Sequence, residues 1–394
     1  MGRIFSKLIR QTPGDPRVPQ ELVDEILDHL AKDTATLHSC SLVAKSWIYP
    51  SRRHLFNILF LTANDITKWN NTFPNPEDSP AGHVKDLSFC FIQSNAPINF
   101  AGRMPYFFNV QQLTLIGRVA TDPSFISALG PLPPTIRSVD ITFSKVLTAH
   151  IVSVVRQLPN LDNLSLTSTE WSGAIPTGTG KLIQARLSGK LRLRRKLAHC
   201  DILNMLMEVP TGPQFAEVEI RDASMTCFPA SLKLVRACRD TLTKLHFSTL
   251  VQGSSLFLAC VEFIRSNLSE QFSIDKSFDF AHCARMREVD LGAVFTSGRL
   301  QWITQALSTL NPGKCPLLSA VTLRLSVTLS LNGPVYILGQ EISHDLSSIG
   351  HEIVRIKNAY TRKMNINPRC DLAFRTILSS QPIWHDLIRE ELPT

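Results

Sequence analysis

The sequence predicts an α/β chain: a short helical unit at the amino end, an array of strand-plus-helix units, and a helical segment closing the carboxyl end. Three observations carry this. Residues 18–30 place their apolar side chains on one helical face, a six-residue pattern (apolar-x-x-apolar-x-apolar) recurs from residue 84 onward, and helix-like apolar stretches fall between its occurrences.

With 394 residues, 44% of them hydrophobic and 19% charged, the chain can bury a substantial core and is too long for one small domain. Its longest apolar stretches, such as residues 55–61, are far short of the roughly 20 residues that span a bilayer. The opening MGRIFSKLIR lacks the continuous apolar run of a secretory signal, so a cytoplasmic or nuclear location is expected. In such a reducing compartment nine scattered cysteines without a CxxC pair read as small core residues, neither a disulfide framework nor a zinc site. The formal net charge of +8 raises nucleic acid as a partner, but the cations are mostly dispersed. The dense run KLRLRRK, residues 190–196, alternates leucine with cation, as an element with one solvated face would.

In VPQELVDEILDHL, residues 18–30, Leu22, Val23, Ile26, Leu27 and Leu30 share one helical face and Glu21, Asp24, Glu25 and Asp28 the other. Pro19 sits where a first helical turn tolerates proline. A second apolar set follows with Leu37, Cys40, Leu42, Val43, Trp47, Leu55 and Phe56. Helices this short cannot close a core alone and need a partner surface.

These residues resemble the F-box family. Pro19 and Glu21 ahead of the Leu22/Ile26/Leu30 stripe, then Leu37, Ser41-Leu42-Val43, Lys45 and Trp47 match its signature, and Ser51-Arg52 with His54-Leu55-Phe56 its fungal branch, over residues 18–60. Val18 stands where leucine is usual and Ala44 where cysteine or serine is common. The resemblance implies a three-helix module that docks a Skp-family adaptor, and through it a cullin ubiquitin ligase, using Pro19, Leu22, Ile26, Leu30, Leu42, Val43 and Trp47.

The hexamers are VKDLSF, VQQLTL, IRSVDI, LDNLSL, FAEVEI, LTKLHF, MREVDL and LSAVTL, starting at Val84, Val110, Ile136, Leu161, Phe215, Leu242, Met286 and Leu318. Near-equal early steps mark units that bury their apolar faces by stacking on one another. A degraded unit is expected at residues 187–193. Strand plus helix at this period resembles the leucine-rich repeat, although the expected asparagine or cysteine is replaced, for example, by Ile92, Arg118, Ser144 and Thr169. The domain organisation read from this is a flexible segment 1–16, an F-box 17–60, a leucine-rich-repeat-like solenoid 61–335 and a helical cap 336–394.

Residues between the apolar positions of each strand would face a ligand: Asp86, Gln112, Asp140, Asn163, Glu217, Glu219, Lys244, His246, Glu288, Asp290 and Arg324, with Ser88, Thr114, Ser138 and Ser165 between them. Mixed in charge and poor in aromatics, they suit a target protein and not a base-stacking groove.

Catalytic patterns do not assemble. GAIPTGTGK, residues 173–181, has Ile175 where a phosphate loop needs its first glycine and Leu182 where it needs a hydroxyl, so it reads as an insertion loop. Cys283 beside His282 lacks an orienting acid, and no HExxH or GxSxG occurs. No cofactor, metal or enzymatic activity is expected. Met1-Gly2 followed by Ser6 fits the myristoylation pattern, which makes Gly2 a lipidation candidate and would add a membrane location. The expected function is a substrate receptor of a Skp-cullin-F-box ligase; the alternative is an interaction scaffold whose first helices merely cap the array.

Overall fold

The computed structural model describes residues 18–91, 100–120, 125–173, 175, 178–194, 199–223, 227–249, 278–295, 301–327, 335–360 and 365–367. Gly2 and the apolar segment 372–388 lie outside the described residues.

Three helices open the chain: α1 (Gln20–His29), α2 (Thr34–Cys40) and α3 (Lys45–Leu55). Pro19, at φ −52° and ψ 142°, ends the extended backbone before α1, and its carbonyl accepts the amides of Leu22 and Val23. Asp33 caps α2 by accepting from the Thr36 amide at 3.0 Å and from the Thr36 hydroxyl at 2.6 Å. Val23, Leu27, Leu37 and Cys40 form a small buried cluster with Leu30, Trp47 and Leu55 against it, separate from the main core.

The chain then enters a sheet whose strands recur through the rest of the described residues. Its strands are β1 (Ile58–Thr62), β2 (Asp86–Phe91), β3 (Gln112–Ala120), β4 (Ser138–Leu147), β5 (Asn160–Ser172), β6 (Arg186–Arg194), β7 (Gln214–Ala223), β8 (Lys244–Thr249), β9 (Glu288–Phe295), β10 (Ala320–Val327) and β11 (Asn365–Asn367). Among the described residues it has 11 strands in sequence order, and every strand pair is parallel. Parallel neighbours need crossover connections. Here these contain α4 (Ala63–Thr72), α5 (Phe125–Leu129), α6 (Thr148–Gln157), α7 (His199–Met207), α8 (Phe228–Ala237), α9 (Gln301–Ser308) and α10 (Val335–Ala359), with short 3-10 turns elsewhere.

The expected fold class, a three-helix F-box ahead of a leucine-rich-repeat-like solenoid with a helical cap, is corrected by this arrangement. The chain is an α/β fold organised on one continuous all-parallel sheet. Its first strand, Ile58–Thr62, directly follows α3, and its last, Asn365–Asn367, adds to β10 in the stretch expected to be purely helical. Both ends escaped the hexamer pattern for physical reasons. The edge strand ILFLT reads as an unbroken apolar run without alternation, and NIN is too short for a period to show.

Along β2 and β8 alternate side chains point into the main core, where Leu87, Phe89, Leu245 and Phe247 are buried. Helices cover this inner face, and Phe228, Phe247, Phe278 and Trp302 meet edge-on within it at centroid distances of 4.9–6.1 Å. Hydroxyls and thiols fasten strand entries to neighbouring units. Thr135 donates to the Val110 carbonyl at 2.8 Å, Thr211 to Ala185 at 3.2 Å, and Cys315 Sγ to Phe280 at 3.2 Å.

One cysteine expectation is also corrected. Cys200, at the start of α7, and Cys227, at the turn into α8, form a disulfide with Cα atoms 4.9 Å apart. Adjacent helix starts brought them together, which spacing along the chain does not show. Among the described residues no helix is long and apolar enough to cross a membrane.

Candidate functional site

Two surfaces carry the residues singled out by the sequence. The first is on α1 to α3. Val23 and Leu27 turn inward at 1% and 0% exposure, whereas Leu22 and Ile26 stay 50% and 44% exposed. Pro19 and Val43 are exposed, Leu42 is 85% exposed, and Leu30 and Trp47 are half-buried on the small cluster. Gln20 Nε2 donates to the Ser46 carbonyl at 3.4 Å, bringing the start of α1 beside the start of α3, next to Val43. The helical unit thus keeps an apolar surface that no described part of the chain covers.

Its frame is held by Asp28, whose Oδ1 accepts from Arg53 Nη2 at 2.6 Å and pairs with His54 Nε2 at 2.8 Å. Slight burial alone would raise the Asp28 pKa; the Arg53 charge and the hydrogen bonds from His54 and Arg53 outweigh it and hold the carboxyl below its ordinary range. Tyr49 meets the His83 ring edge-on at 4.8 Å, anchoring α3 to the turn before β2. Burial, helped by the charges of Arg52 and Arg53, lowers the His83 pKa and favours the neutral ring.

The second surface is the outward face of the sheet. Parallel register sorts the predicted target-binding residues into rows. Asp86, Gln112, Ser138, Asn163, Lys190, Glu217, Lys244 and Glu288 stand side by side in the first. The second holds Ser88, Thr114, Asp140, Ser165, Arg192, Glu219, His246 and Asp290. Arg324 falls in a third, opposite Gly292.

The rows differ in chemistry from end to end. Toward β4 and β5 they are mainly hydroxyl and amide, with Asn163 Nδ2 donating to Ser138 Oγ at 2.9 Å and Thr142 to Asp140 at 3.0 Å. From β6 to β10 they form an ionic lattice. Lys190 pairs with Glu217 at 2.6 Å and Lys244 with Glu288 at 2.9 Å. Asp290 takes His246 and Arg324, each at 2.8 Å. Glu219 is the centre: Arg221 approaches it at 2.6 Å, Arg194 at 3.0 Å and Arg192 at 3.3 Å, and its side chain is only 11% exposed. Desolvation would raise the Glu219 pKa, yet the charges of Arg221 and Arg194 prevail and hold it below the ordinary value, so the carboxylate stays ionised.

Lys190, Arg192 and Arg194 were legible only as solvated-face cations; the structure places them on β6, the first strand of this lattice, paired with Glu217 and Glu219 of β7, with 195 and 196 outside the described residues. Arg221 was missed because it lies just past the hexamer FAEVEI, although the Glu217-Glu219-Arg221 alternation signals it. Register shifts at Leu161/Asn163 against β6 and at Gly189/Lys190 against β7 set their positions. Gly189 takes φ +67°, and a Cβ there would meet the Asp162 carbonyl oxygen at 2.0 Å.

Other candidates resolve differently. In the glycine-rich loop two amides are occupied, since Glu208 Oε2 accepts from Gly178 N at 2.9 Å and Gly180 N at 3.2 Å. A phosphate would meet a carboxylate there. The thiols of Cys283 and Cys238 are pushed up to about 12, and that of Cys315 to about 11, chiefly by burial, which keeps them protonated and poor nucleophiles. Among the described residues no group of three or more His, Cys, Asp or Glu is placed to hold a metal ion. No protein-family model matches the chain, and no curated protein matches it in sequence.

Proposed function

We propose that this chain is a substrate receptor of a Skp-cullin-F-box ubiquitin ligase. The amino-terminal helices dock the Skp-family adaptor, and the outward sheet face holds a target protein. The observation that carries the reading is the split of α1: Val23 and Leu27 are fully used by the unit's own cluster, while Leu22 and Ile26, one turn apart, stay about half exposed. An amphipathic face open in the free chain suits a helix-groove partner, with apolar anchors supplying affinity. The alternative, in which these helices only cap the array, would have used that face internally. The likeness of residues 18–60 to the F-box signature supports the same partner.

On this reading the chain has no catalytic role, and bond-making belongs to the ligase's other subunits. The polar sheet face, with Asn163, Ser138 and Asp140 at one end and the ionic lattice at the other, suits a protein surface rich in hydrogen-bonding groups. The experiment is co-purification of tagged full-length chain with adaptor and cullin, for wild type and the double variant Leu22→Asp/Ile26→Asp. Capture by the wild type and its loss in the variant, with unchanged circular dichroism, is the expected result. Equal capture by both, or none by the wild type, overturns the reading.

A further inference from the structure

The charges of the sheet face are not balanced row by row. In the first row each cation has its own carboxylate, Lys190 with Glu217 and Lys244 with Glu288. Three guanidiniums, by contrast, surround the single carboxylate of Glu219. Glu219 and Asp290 lie deep, with side chains 11% and 18% exposed, whereas Arg194, Arg221 and Arg324 stand above them at 40%, 42% and 47%. The layer above Glu219 and Asp290 is therefore cationic, while in the first row Glu288 stands 49% exposed beside Lys244. Each guanidinium carries five N–H donors, and the two oxygens of one carboxylate cannot engage those of three arginines.

We propose that this layer seats an acidic segment of a protein partner, one carboxylate on Arg194 and Arg221 and a second on Arg324. The proposal rests on the reading that the sheet face receives a target protein. Spacing sets the ligand. From β7 to β10 is three strand steps of about 4.8 Å, so Arg221 and Arg324 stand roughly 14 Å apart. An extended peptide rises about 3.3 Å per residue and covers that span in about four residues. Between the arginines the row holds Ser248 and Gly292, side chains too small to block a chain crossing the strands. Nucleic acid fits less well, because these rows offer no Phe, Tyr or Trp for base stacking. Arginine, with its planar fork, suits bidentate capture of carboxylates.

The test is fluorescence polarisation with the full chain and labelled Gly/Ser peptides. One carries two Glu pairs about four residues apart, matching the arginine span; a second has them adjacent, and a third has Lys in their place. An oligothymidylate is the fourth probe. The spaced acidic peptide is expected to bind best, weaken with salt and lose about tenfold or more in affinity in Arg194→Gln/Arg324→Gln. The charge-preserving Arg194→Lys/Arg324→Lys should retain part of the binding, which separates lost contacts from lost fold. Indifference to peptide charge or spacing, unchanged binding in the Gln variant, or tighter binding of the oligonucleotide through the same arginines overturns the proposal. Adaptor capture reports separately: its absence sinks the receptor reading, while the acidic site stands or falls on the peptides.

Discussion

Arg194 Nε donates to Glu219 Oε1 across the β6–β7 boundary at 3.1 Å, with its Nη2 3.0 Å from the same oxygen. Together with Arg192 and Arg221 this holds a nearly buried carboxylate in its charged form. The pH consequence follows from the direction of its shift. The folded pKa lies below the ordinary value of 4.5, so the stabilisation is present above that value and is lost as pH falls through the folded pKa. Glu219→Gln should cost about 1–3 kcal/mol at pH 7, by removing the negative charge that three guanidiniums share and replacing one acceptor oxygen with an amide donor. Denaturant unfolding at pH 7 and pH 3 checks it: the gap between wild type and variant should narrow at the lower pH.

The two faces of α1 should respond oppositely to mutation. Leu27→Ala removes a fully buried side chain from a small cluster and is expected to destabilise the helical unit by about 2–4 kcal/mol. Leu22→Ala, at a half-exposed position, should change stability by about 0.5 kcal/mol or less. Hydrogen exchange of the α1 amides separates the two; equal loss of protection would mean that the outward face is already in use.

Glu208 organises the Gly178–Gly180 turn by accepting both glycine amides. Glu208→Ala strands those donors, and about 1–3 kcal/mol should be lost. Gly180→Ala should be at least as damaging, because a Cβ there would lie 2.1 Å from the Met205 carbonyl oxygen. Thermal unfolding of both variants measures this, and neither variant nor the wild type should be stabilised by added ATP.

The Cys200–Cys227 bridge closes a separation of 27 residues and should contribute about 3 kcal/mol through the entropy of the unfolded chain. Unfolding of the intact protein with and without reductant gives the size directly. A Cys200→Ser variant should show the lower stability in both conditions; a reductant effect that persists in it would locate the sensitivity elsewhere.

What the sequence determined by itself was local: the amphipathic stripe of residues 18–30, the helix start at Pro19, and the alternation that sends Leu87, Leu115, Val139 and Leu164 inward and their neighbours outward. These depend on spacing within a few residues, which the chain carries openly. The tertiary structure decided everything that needed two distant segments at once. It joined β1 and β11 to the sheet by backbone hydrogen bonds that no side-chain pattern advertises, and so replaced a modular solenoid with one continuous parallel sheet. It set Arg192, Arg194 and Arg221 around Glu219 through register shifts, and Cys200 beside Cys227 through adjacent helix starts. Register and proximity are properties of paired strands and stacked helices, because a shift of one residue changes which side chains meet without changing the local pattern of either strand.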